Sequence, residues 1–104
     1  MVIGTALNID DGRIAEFCKV HRIRRLAVFG SALRDDFGPD SDVDLLVEFE
    51  PGKTPGMIRL ASMERELESL VGGREVELRT INDLSRYFRD EVRSTSVSIY
   101  DAAA

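Results

Sequence analysis

The spacing of hydrophobic residues changes several times along the chain, and each change predicts a different element. From about Asp11 to His21 a largely apolar face recurs every three or four residues, which predicts an amphipathic helix with Cys18 on its buried side. Residues 26–29 and 45–47 are short apolar runs with β-branched or aromatic members and turn formers at their outer ends. Such runs predict strands rather than helices.

A second helical period follows over about residues 55–71, and the Gly-Gly pair at 72–73 then provides the left-handed positions that end helices. Met57 and Met63 fall on the apolar face of this helix, so both are predicted to pack in the core. Residues 74–79 alternate between polar and apolar side chains, which predicts a strand with one buried face.

The last part of the chain carries weaker signals. Residues 82–83 predict a turn or a short helix, and residues 94–100 predict a final strand or an irregular segment. Between them lies a predicted helical stretch whose apolar face consists of Leu84, Tyr87, Phe88 and Val92. These elements together predict an α/β fold in which a small mixed β-sheet packs against helices. Because 104 residues suffice for one compact core, the whole chain, 1–104, is predicted to be a single domain.

Composition narrows the class of protein. A hydrophobic content of 43% is ordinary for a globular protein, and no apolar run approaches the roughly 20 residues of a membrane span. A formal net charge of −5 disfavours a nonspecific grip on nucleic acid, so no direct nucleic-acid partner is expected. The start of the chain lacks the parts of a secretory signal, and the single cysteine excludes an intramolecular disulfide. We therefore expect a cytoplasmic protein.

The candidate chemistry is concentrated between Gly30 and Asp44. Gly30 and Ser31 follow the first predicted strand, and Asp42 and Asp44 enter the second one after a spacer. Residues two apart on a strand project to the same face, so these carboxylates are expected side by side, where they repel each other unless a cation lies between them. Such hard oxygen ligands suit Mg²⁺, which binds one or two carboxylates together with substrate phosphates.

Gly30 and Ser31 supply the other half of such a site. A glycine lets a phosphate approach the backbone closely, and Ser31 is predicted to cap a helix over about residues 31–37, whose free N–H groups attract an anion. The two halves together predict a site for a Mg²⁺-bound nucleoside triphosphate. An acidic turn between two hairpin strands is the simpler alternative, but it does not explain two carboxylates entering an otherwise apolar strand.

The order Gly-Ser, spacer, Asp-x-Asp closely resembles the nucleotidyltransferase signature of the DNA-polymerase-β-like superfamily. With Arg34 three residues after Ser31, and with Ser-Asp-Val-Asp-Leu-Leu-Val at 41–47, the chain looks like the minimal nucleotidyltransferases, which are small antitoxin partners of HEPN-domain ribonucleases. The resemblance covers most of the chain. It departs from the family's pattern at Asp35, where many relatives have glycine, and at Glu77, where relatives usually have aspartate.

This resemblance implies an activity and a set of site residues. The implied catalytic residues and metal ligands are Asp42, Asp44 and Glu77, and the implied triphosphate contacts are Gly30, Ser31 and Arg34. Two Mg²⁺ ions would act with ATP as the substrate. The reaction would transfer AMP to a hydroxyl, by implication a tyrosine hydroxyl of a cognate HEPN-type toxin, which would silence the toxin and is compatible with a hetero-oligomer.

Two other functions are open on the sequence. A transferase for a small hydroxyl compound would use the same site, although such enzymes usually carry an extra domain. A binding module would neutralise a toxin by covering it, with a weakened or vestigial nucleotide site. The departures at Asp35 and Glu77 favour the binding module, whereas the intact Gly-Ser pair and the two aspartates argue against it.

The remaining polar residues have simpler interpretations. Cys18 is predicted to be a buried small hydrophobe, and Glu64 to lie on the exposed side of the second helix. His21 is predicted to be a helix-end residue, with a role at the partner or nucleotide site as the alternative. The arginines at 22–25 complement the dipole of the preceding helix or contact a phosphate. Lys53 is predicted to be a solvated loop residue.

Overall fold

The computed structural model describes residues 2–3, 7–33 and 41–103. Two strands of two residues each, β1 (Val2–Ile3) and β2 (Leu7–Asn8), form a short antiparallel pair that the sequence pattern did not predict. The other elements are α1 (Asp11–Val20), β3 (Ile23–Phe29), a first 3₁₀ helix (Gly30–Leu33), β4 (Val43–Phe49), α2 (Met57–Glu68), β5 (Val76–Arg79), a second 3₁₀ helix (Ile81–Asp83), α3 (Arg89–Thr95) and β6 (Val97–Asp101).

The main sheet has four strands in the order β5-β4-β3-β6. Strand β3 pairs antiparallel with both β4 and β6, while β4 and β5 run parallel. The predicted mixed sheet of an α/β fold is therefore confirmed. Residues 26–28 of β3 and 45–47 of β4 are all buried, so both faces of the sheet are covered there, which explains the continuous apolar runs in the sequence.

Helices α1 and α2 supply the hydrophobic layer on one face of this sheet. Ile14, Phe17 and Cys18 of α1 join Met63 and Leu67 of α2 in the buried cluster. The strand residues that meet them alternate along each strand, as period-two geometry requires. They are Leu26, Val28, Val43, Leu45, Val47, Val76, Leu78 and Ile99, with Ile23 joining them from beyond the irregularity in β3 between Ile23 and Arg25.

The opposite face of the sheet carries the intervening residues of β4. Leu46 lies beside Ala27 of β3, and both side chains are buried. Asp44 and Glu48 flank Leu46 on the same face, because they lie two residues before and after it. This face is therefore apolar in its middle and carries a carboxylate towards each end of β4.

The predicted elements around the core are largely confirmed. The helix over 11–21 and the strands at 26–29, 45–47 and 74–79 are present, with boundaries that differ by at most three residues. The helix predicted over 55–71 ends earlier, at Glu68, and the following turn closes where the backbone N–H of Gly73 donates to the Glu68 carbonyl at 2.7 Å.

Two predictions about packing are wrong. Met57 is 86% exposed, whereas Met63 is fully buried as predicted. The apolar period reaches Met57, but α2 begins at this residue, and no element in the described part of the chain covers its side chain. In the tail, α3 begins only at Arg89, so Tyr87 and Phe88 precede the helix and are largely exposed.

Two polar residues, Asp10 and His21, lie at the two ends of α1. The Asp10 side chain accepts a hydrogen bond from the Arg13 backbone N–H at 3.1 Å and caps the helix. His21 follows the last turn, contacts the Phe17 ring at a centroid distance of 4.4 Å, and lies 3.0 Å from Glu66 of α2. The helix-end interpretation of His21 is therefore confirmed.

None of the helices within residues 7–33 and 41–103 combines the length and apolar character needed to cross a bilayer.

Replacing Cys18 with alanine tests the packing of this core. Cys18 is fully buried, so Cys18→Ala should lower the free energy of unfolding by about 1 kcal/mol through lost contacts. Burial raises the pKa of the Cys18 thiol from 9.0 to about 12, so the thiol's contribution to stability is lost as pH rises through that window. Urea unfolding should show the stability advantage of the wild type over the variant shrinking as pH rises from about 9 towards about 12.

A difference that stays constant over this pH range would contradict the burial of the Cys18 thiol. The specific activity of the folded variant should equal that of the wild type, because Cys18 lies in the layer between α1 and the sheet.

Candidate functional site

The candidate site begins where β3 ends and Gly30 turns the chain. Phe29, the last residue of β3, is paired with Asp44 of β4, so Gly30 lies directly beside Asp44. Gly30 has a φ of +73°, a conformation that side-chain-bearing residues rarely adopt. A Cβ atom at Gly30 would lie 2.6 Å from Asp44 Oδ2, well inside van der Waals contact. Glycine is therefore required here both by the backbone angle and by the adjacent carboxylate.

Glu77 lies on the other side of Asp44. The parallel pairing of β4 with β5 places Asp44 and Glu77 at matching positions, so their side chains project to the same face. The Asp44 carboxyl lies within hydrogen-bonding reach of the Glu77 carboxyl. The structure thus brings Asp44 and Glu77 together, as the sequence predicted, and adds the Gly30 backbone as the opposite wall.

The environment of Asp44 disfavours its charged form. Partial burial raises the pKa of the Asp44 carboxyl above its ordinary value of 3.8, and the charge of Glu77 and the hydrogen bond with Glu77 raise it further. Arg79 acts in the opposite direction, and the charge of Asp42 adds a smaller upward contribution. A hydrogen bond between two carboxyl groups needs a proton between them, which a bound cation makes unnecessary.

Arg79 neutralises part of this negative charge. Its guanidinium lies 3.2 Å from Glu77 Oε2, and both side chains are about half exposed, at 48% and 47%. Arg79 follows Glu77 by two residues on β5, so the alternation of the strand puts both on one face. Sequence analysis did not assign Arg79 to the site, although this alternation was the signal that could have found it.

Asp42 lies just before β4 and is exposed. Its charge acts on Asp44, as the pKa shift of Asp44 shows. Within residues 2–3, 7–33 and 41–103, no three His, Cys, Asp or Glu side chains are grouped closely enough to hold a metal ion by themselves. Two of the three predicted ligands, Asp44 and Glu77, are in contact, and Asp42 is a near neighbour.

This donor set fits a hard divalent cation that shares its coordination with a substrate. Asp44 and Glu77 are paired across β4 and β5, and the negative charge of Glu77 acts on the Asp44 carboxyl. Mg²⁺ in proteins usually keeps one or two carboxylates and completes its coordination with waters and phosphate oxygens, so a closed three-residue set is not needed. The chemistry of the residues therefore suits a metal that arrives with a nucleotide.

Two of the predicted triphosphate contacts, Gly30 and Ser31, lie where β3 ends beside Asp44. Both belong to the first 3₁₀ helix, Gly30–Leu33, which is a tighter turn than the α-helix predicted from residue 31. The rest of that predicted helix, 34–37, including Arg34, lies outside the described residues. Gly30 lies beside Asp44. The sequence suggested glycine here because a phosphate can approach its backbone closely, and the structure adds that a Cβ at this position would collide with the Asp44 carboxylate.

Glu64 is a further residue whose position the sequence did not reveal. Periodicity placed it on the exposed side of α2, but its Oε2 accepts a hydrogen bond from the Leu78 backbone N–H of β5 at 2.7 Å. A groove of about 520 Å³ lies here between α2 and β5. Glu77 and Arg79 also line this groove, so it reaches one member of the carboxylate pair.

The chain is similar to known proteins of one family. The nucleotidyltransferase domain family matches residues 12–100 of the chain. A candidate protein adenylyltransferase of Methanocaldococcus jannaschii is 33% identical over 79 residues, which covers 76% of this chain and 82% of that protein. The protein adenylyltransferase MntA of Thermococcus cleftensis is 42% identical over 50 residues, which covers 48% of each.

Two solved structures share the fold. The structure of a candidate minimal nucleotidyltransferase superposes with a TM-score of 0.66 at 33% identity, covering 84% of this chain and 86% of that one. A toxin–antitoxin structure with AMP-PNP gives a TM-score of 0.71 at 17% identity, over 90% of this chain and 75% of that one, and at this identity it shows a shared fold alone. With the family match over residues 12–100 and the two relatives, these findings show that the chain belongs to the nucleotidyltransferase domain family, among its minimal nucleotidyltransferases.

Proposed function

We propose that the chain, acting as one domain, is a Mg²⁺-dependent nucleotidyltransferase that moves AMP from ATP to a hydroxyl of a partner toxin and silences that toxin. The observation that carries this proposal is the Asp44 carboxylate, which is held between Gly30 and Glu77. A purely structural carboxylate would be paired with cations, whereas Asp44 faces another carboxyl group. The relatives named as protein adenylyltransferases support AMP as the transferred group and protein as the acceptor.

The partner is a HEPN-type toxin that presents a tyrosine hydroxyl, and the two proteins form a hetero-oligomer in the cytoplasm. The solved structure described as a toxin–antitoxin with AMP-PNP supports both a toxin partner and an adenine nucleotide.

Asp42 and Asp44 would hold two Mg²⁺ ions, with Glu77 as the third carboxylate. When bound, Mg²⁺ supplies charge neutralisation for the phosphates and lowers the pKa of an incoming hydroxyl. Gly30, with its φ of +73°, leaves room at the end of β3 for the carboxylate and for a phosphate beside it.

Bond changes in the transfer balance without any further reactant. The acceptor oxygen forms a bond to the α-phosphorus, and the bond from that phosphorus to the bridging oxygen breaks, so the electron pair leaves with pyrophosphate. Glu77 accepts the proton of the acceptor hydroxyl. Ser31 and Arg34 complete the contacts to the departing phosphates.

The double variant Asp42→Asn/Asp44→Asn should lose transfer while keeping its fold. Removing the metal ligands should slow the reaction by at least about a thousandfold, because metal stabilisation of phosphoryl charge is worth several kcal/mol. Folding should be retained, since the change relieves repulsion among Asp42, Asp44 and Glu77. The measurement is transfer of label from ATP labelled at the α-phosphate to the purified toxin encoded beside this chain.

The matched control is Glu16→Gln/Asp90→Asn, which removes two exposed carboxylates elsewhere and should transfer label normally. Undiminished labelling by the aspartate variant would contradict the metal assignment. A stable complex that silences the toxin without any label would instead establish a binding module. Label found only on small hydroxyl compounds would establish a small-molecule transferase.

Gly30→Ala tests the close approach of Asp44, with Gly52→Ala as its control. Both glycines have nearly the same φ, +73° and +75°, but a Cβ at Gly52 meets nothing within 4 Å. Both variants should lose about 1 kcal/mol from the unfavourable backbone angle. Gly30→Ala should lose a further 1–3 kcal/mol, by rough estimate, from displacing the carboxylate.

Thermal unfolding measures the stability of both variants, and label transfer measures their activity. Gly30→Ala should lose most of its activity because Asp44 must move, while Gly52→Ala should keep its activity. Equal losses of stability and activity in the two variants would show that the contact between Gly30 and Asp44 is unimportant.

A further inference from the structure

The groove between α2 and β5 adjoins Glu77 but has a chemistry of its own. Its apolar lining comes from Met57, Leu60 and Ala61 of α2 and from Val76 and Leu78 of β5. Its volume of about 520 Å³ is that of a ligand site rather than of a packing defect. Glu77 belongs to both the groove and the carboxylate pair. A hydroxyl that is to give its proton to Glu77 can therefore approach through this groove.

The backbone along one side of the groove is a sheet edge. In the strand order β5-β4-β3-β6, β5 ends the sheet. The Val43 N–H donates to the Glu75 carbonyl, and the next outward-facing backbone groups are those of Val76 and Leu78. Glu64 already occupies the Leu78 N–H at 2.7 Å. The Glu64 side chain protects this edge of the sheet. An incoming backbone carbonyl can replace Glu64 as the acceptor of the Leu78 N–H.

The charge of the groove selects the kind of occupant. Three carboxylates line it, Glu64, Glu77 and Asp83, against the single guanidinium of Arg79. A triphosphate or an RNA backbone would be repelled by this excess of negative charge, whereas a segment that carries lysine or arginine would be attracted. Apolar surface, a sheet edge and a negative rim are together the features that an extended basic peptide requires.

The geometry points to this groove as the docking site for the acceptor segment of the partner protein. That segment binds extended along β5, its backbone takes the Leu78 N–H from Glu64, its basic residues face the carboxylates, and its hydroxyl reaches Glu77. The inference rests on the proposed function, since it concerns the second substrate of the same site. It adds the route of entry and the residues that select the acceptor.

Met57 and Ile58 offer a matched pair for the test. Both are highly exposed, at 86% and 90%, and they are neighbours on the first turn of α2, but only Met57 lines the groove. Met57→Arg places a positive charge where a basic segment is expected, so the KM for the toxin should rise at least about tenfold. The KM for Mg-ATP should not change. Ile58→Arg should leave both constants at their wild-type values.

A second variant keeps the test independent of Met57. Glu64→Gln retains an oxygen that can accept from the Leu78 N–H but removes one of the three negative charges. The KM for the toxin should rise about threefold, and its dependence on salt should weaken, because fewer charges attract the segment. Thermal unfolding should show that all three variants keep the stability of the wild type.

The outcomes separate this inference from the proposed function. Labelling of the toxin with the same KM in Met57→Arg, Glu64→Gln and wild type would overturn the groove and leave the proposed function intact. No labelling of the toxin by the wild type would overturn the proposed function, and the groove assignment with it. Transfer to an RNA 3′ hydroxyl in place of the toxin would overturn the basic peptide as occupant.

Discussion

Asp44 is a carboxylate on a central, largely apolar strand, and its side chain has to lie away from the hydrophobic core. The rest of the candidate site depends on the space beside Gly30 that the Asp44 carboxylate occupies. The alternation of β4 turns Val43 and Leu45 towards the helices and Asp44 to the opposite face. There the carboxylate lies against Gly30, in space that any other residue's Cβ would fill. The turn at the end of β3 therefore has to be made by glycine, and it is made beside the carboxylate.

Strand β4 also carries Glu48, a carboxylate whose role is structural. Glu48 lies on the same face of β4 as Asp44, and guanidinium groups of Arg24, Arg25 and Arg93 lie within 3.4–3.7 Å of it. These ion pairs tie α3 and β3 to β4 and satisfy the charge locally. Asp44, only four residues away, faces Glu77 and the charge of Asp42.

If β4 contributed only to stability, we would expect Asp44 to be paired with cationic side chains, as Glu48 is. Like-charged neighbours around one carboxylate destabilise it, and such arrangements cluster at sites where a cation or a reaction needs them. Arg79 moderates the repulsion through Glu77, but one guanidinium among three carboxylates leaves net negative charge. The contrast between Glu48 and Asp44 is the physical basis for assigning a metal–nucleotide site to one end of β4.

Much of this arrangement is readable from the sequence because it follows from short-range geometry. The spacing of Gly30 from Asp44 and the alternation of residues 74–79 depend only on strand ends and on period two, which local sequence determines. The proximity of Glu77 to Asp44 depends on the pairing of two strands, and the resemblance to the nucleotidyltransferases was what implied it. The helix α1 was equally readable, because its cap and its apolar face are local features.

The features that the sequence did not reveal depend on what lies opposite in space. Helical periodicity shows which side of α2 is apolar but not how far its packing partner extends, so Met57 was assigned to the core. Glu64 belongs to the polar side of α2 by spacing, yet it bonds to the edge of β5. The two-residue strands β1 and β2 were missed because they are too short to show a period.

The central claim is that the Asp44 carboxylate, between Gly30 and Glu77, binds a metal together with a nucleotide. Thermal unfolding in the presence of Mg²⁺ and AMP-PNP tests it most directly, because a ligand that binds only the folded state raises the midpoint by mass action. The midpoint of the wild type should rise only when both Mg²⁺ and the nucleotide are present, and that of Asp44→Asn should not rise. An equal rise in Asp44→Asn, or no rise in the wild type at saturating concentrations, would show that Asp44 does not bind the metal with the nucleotide.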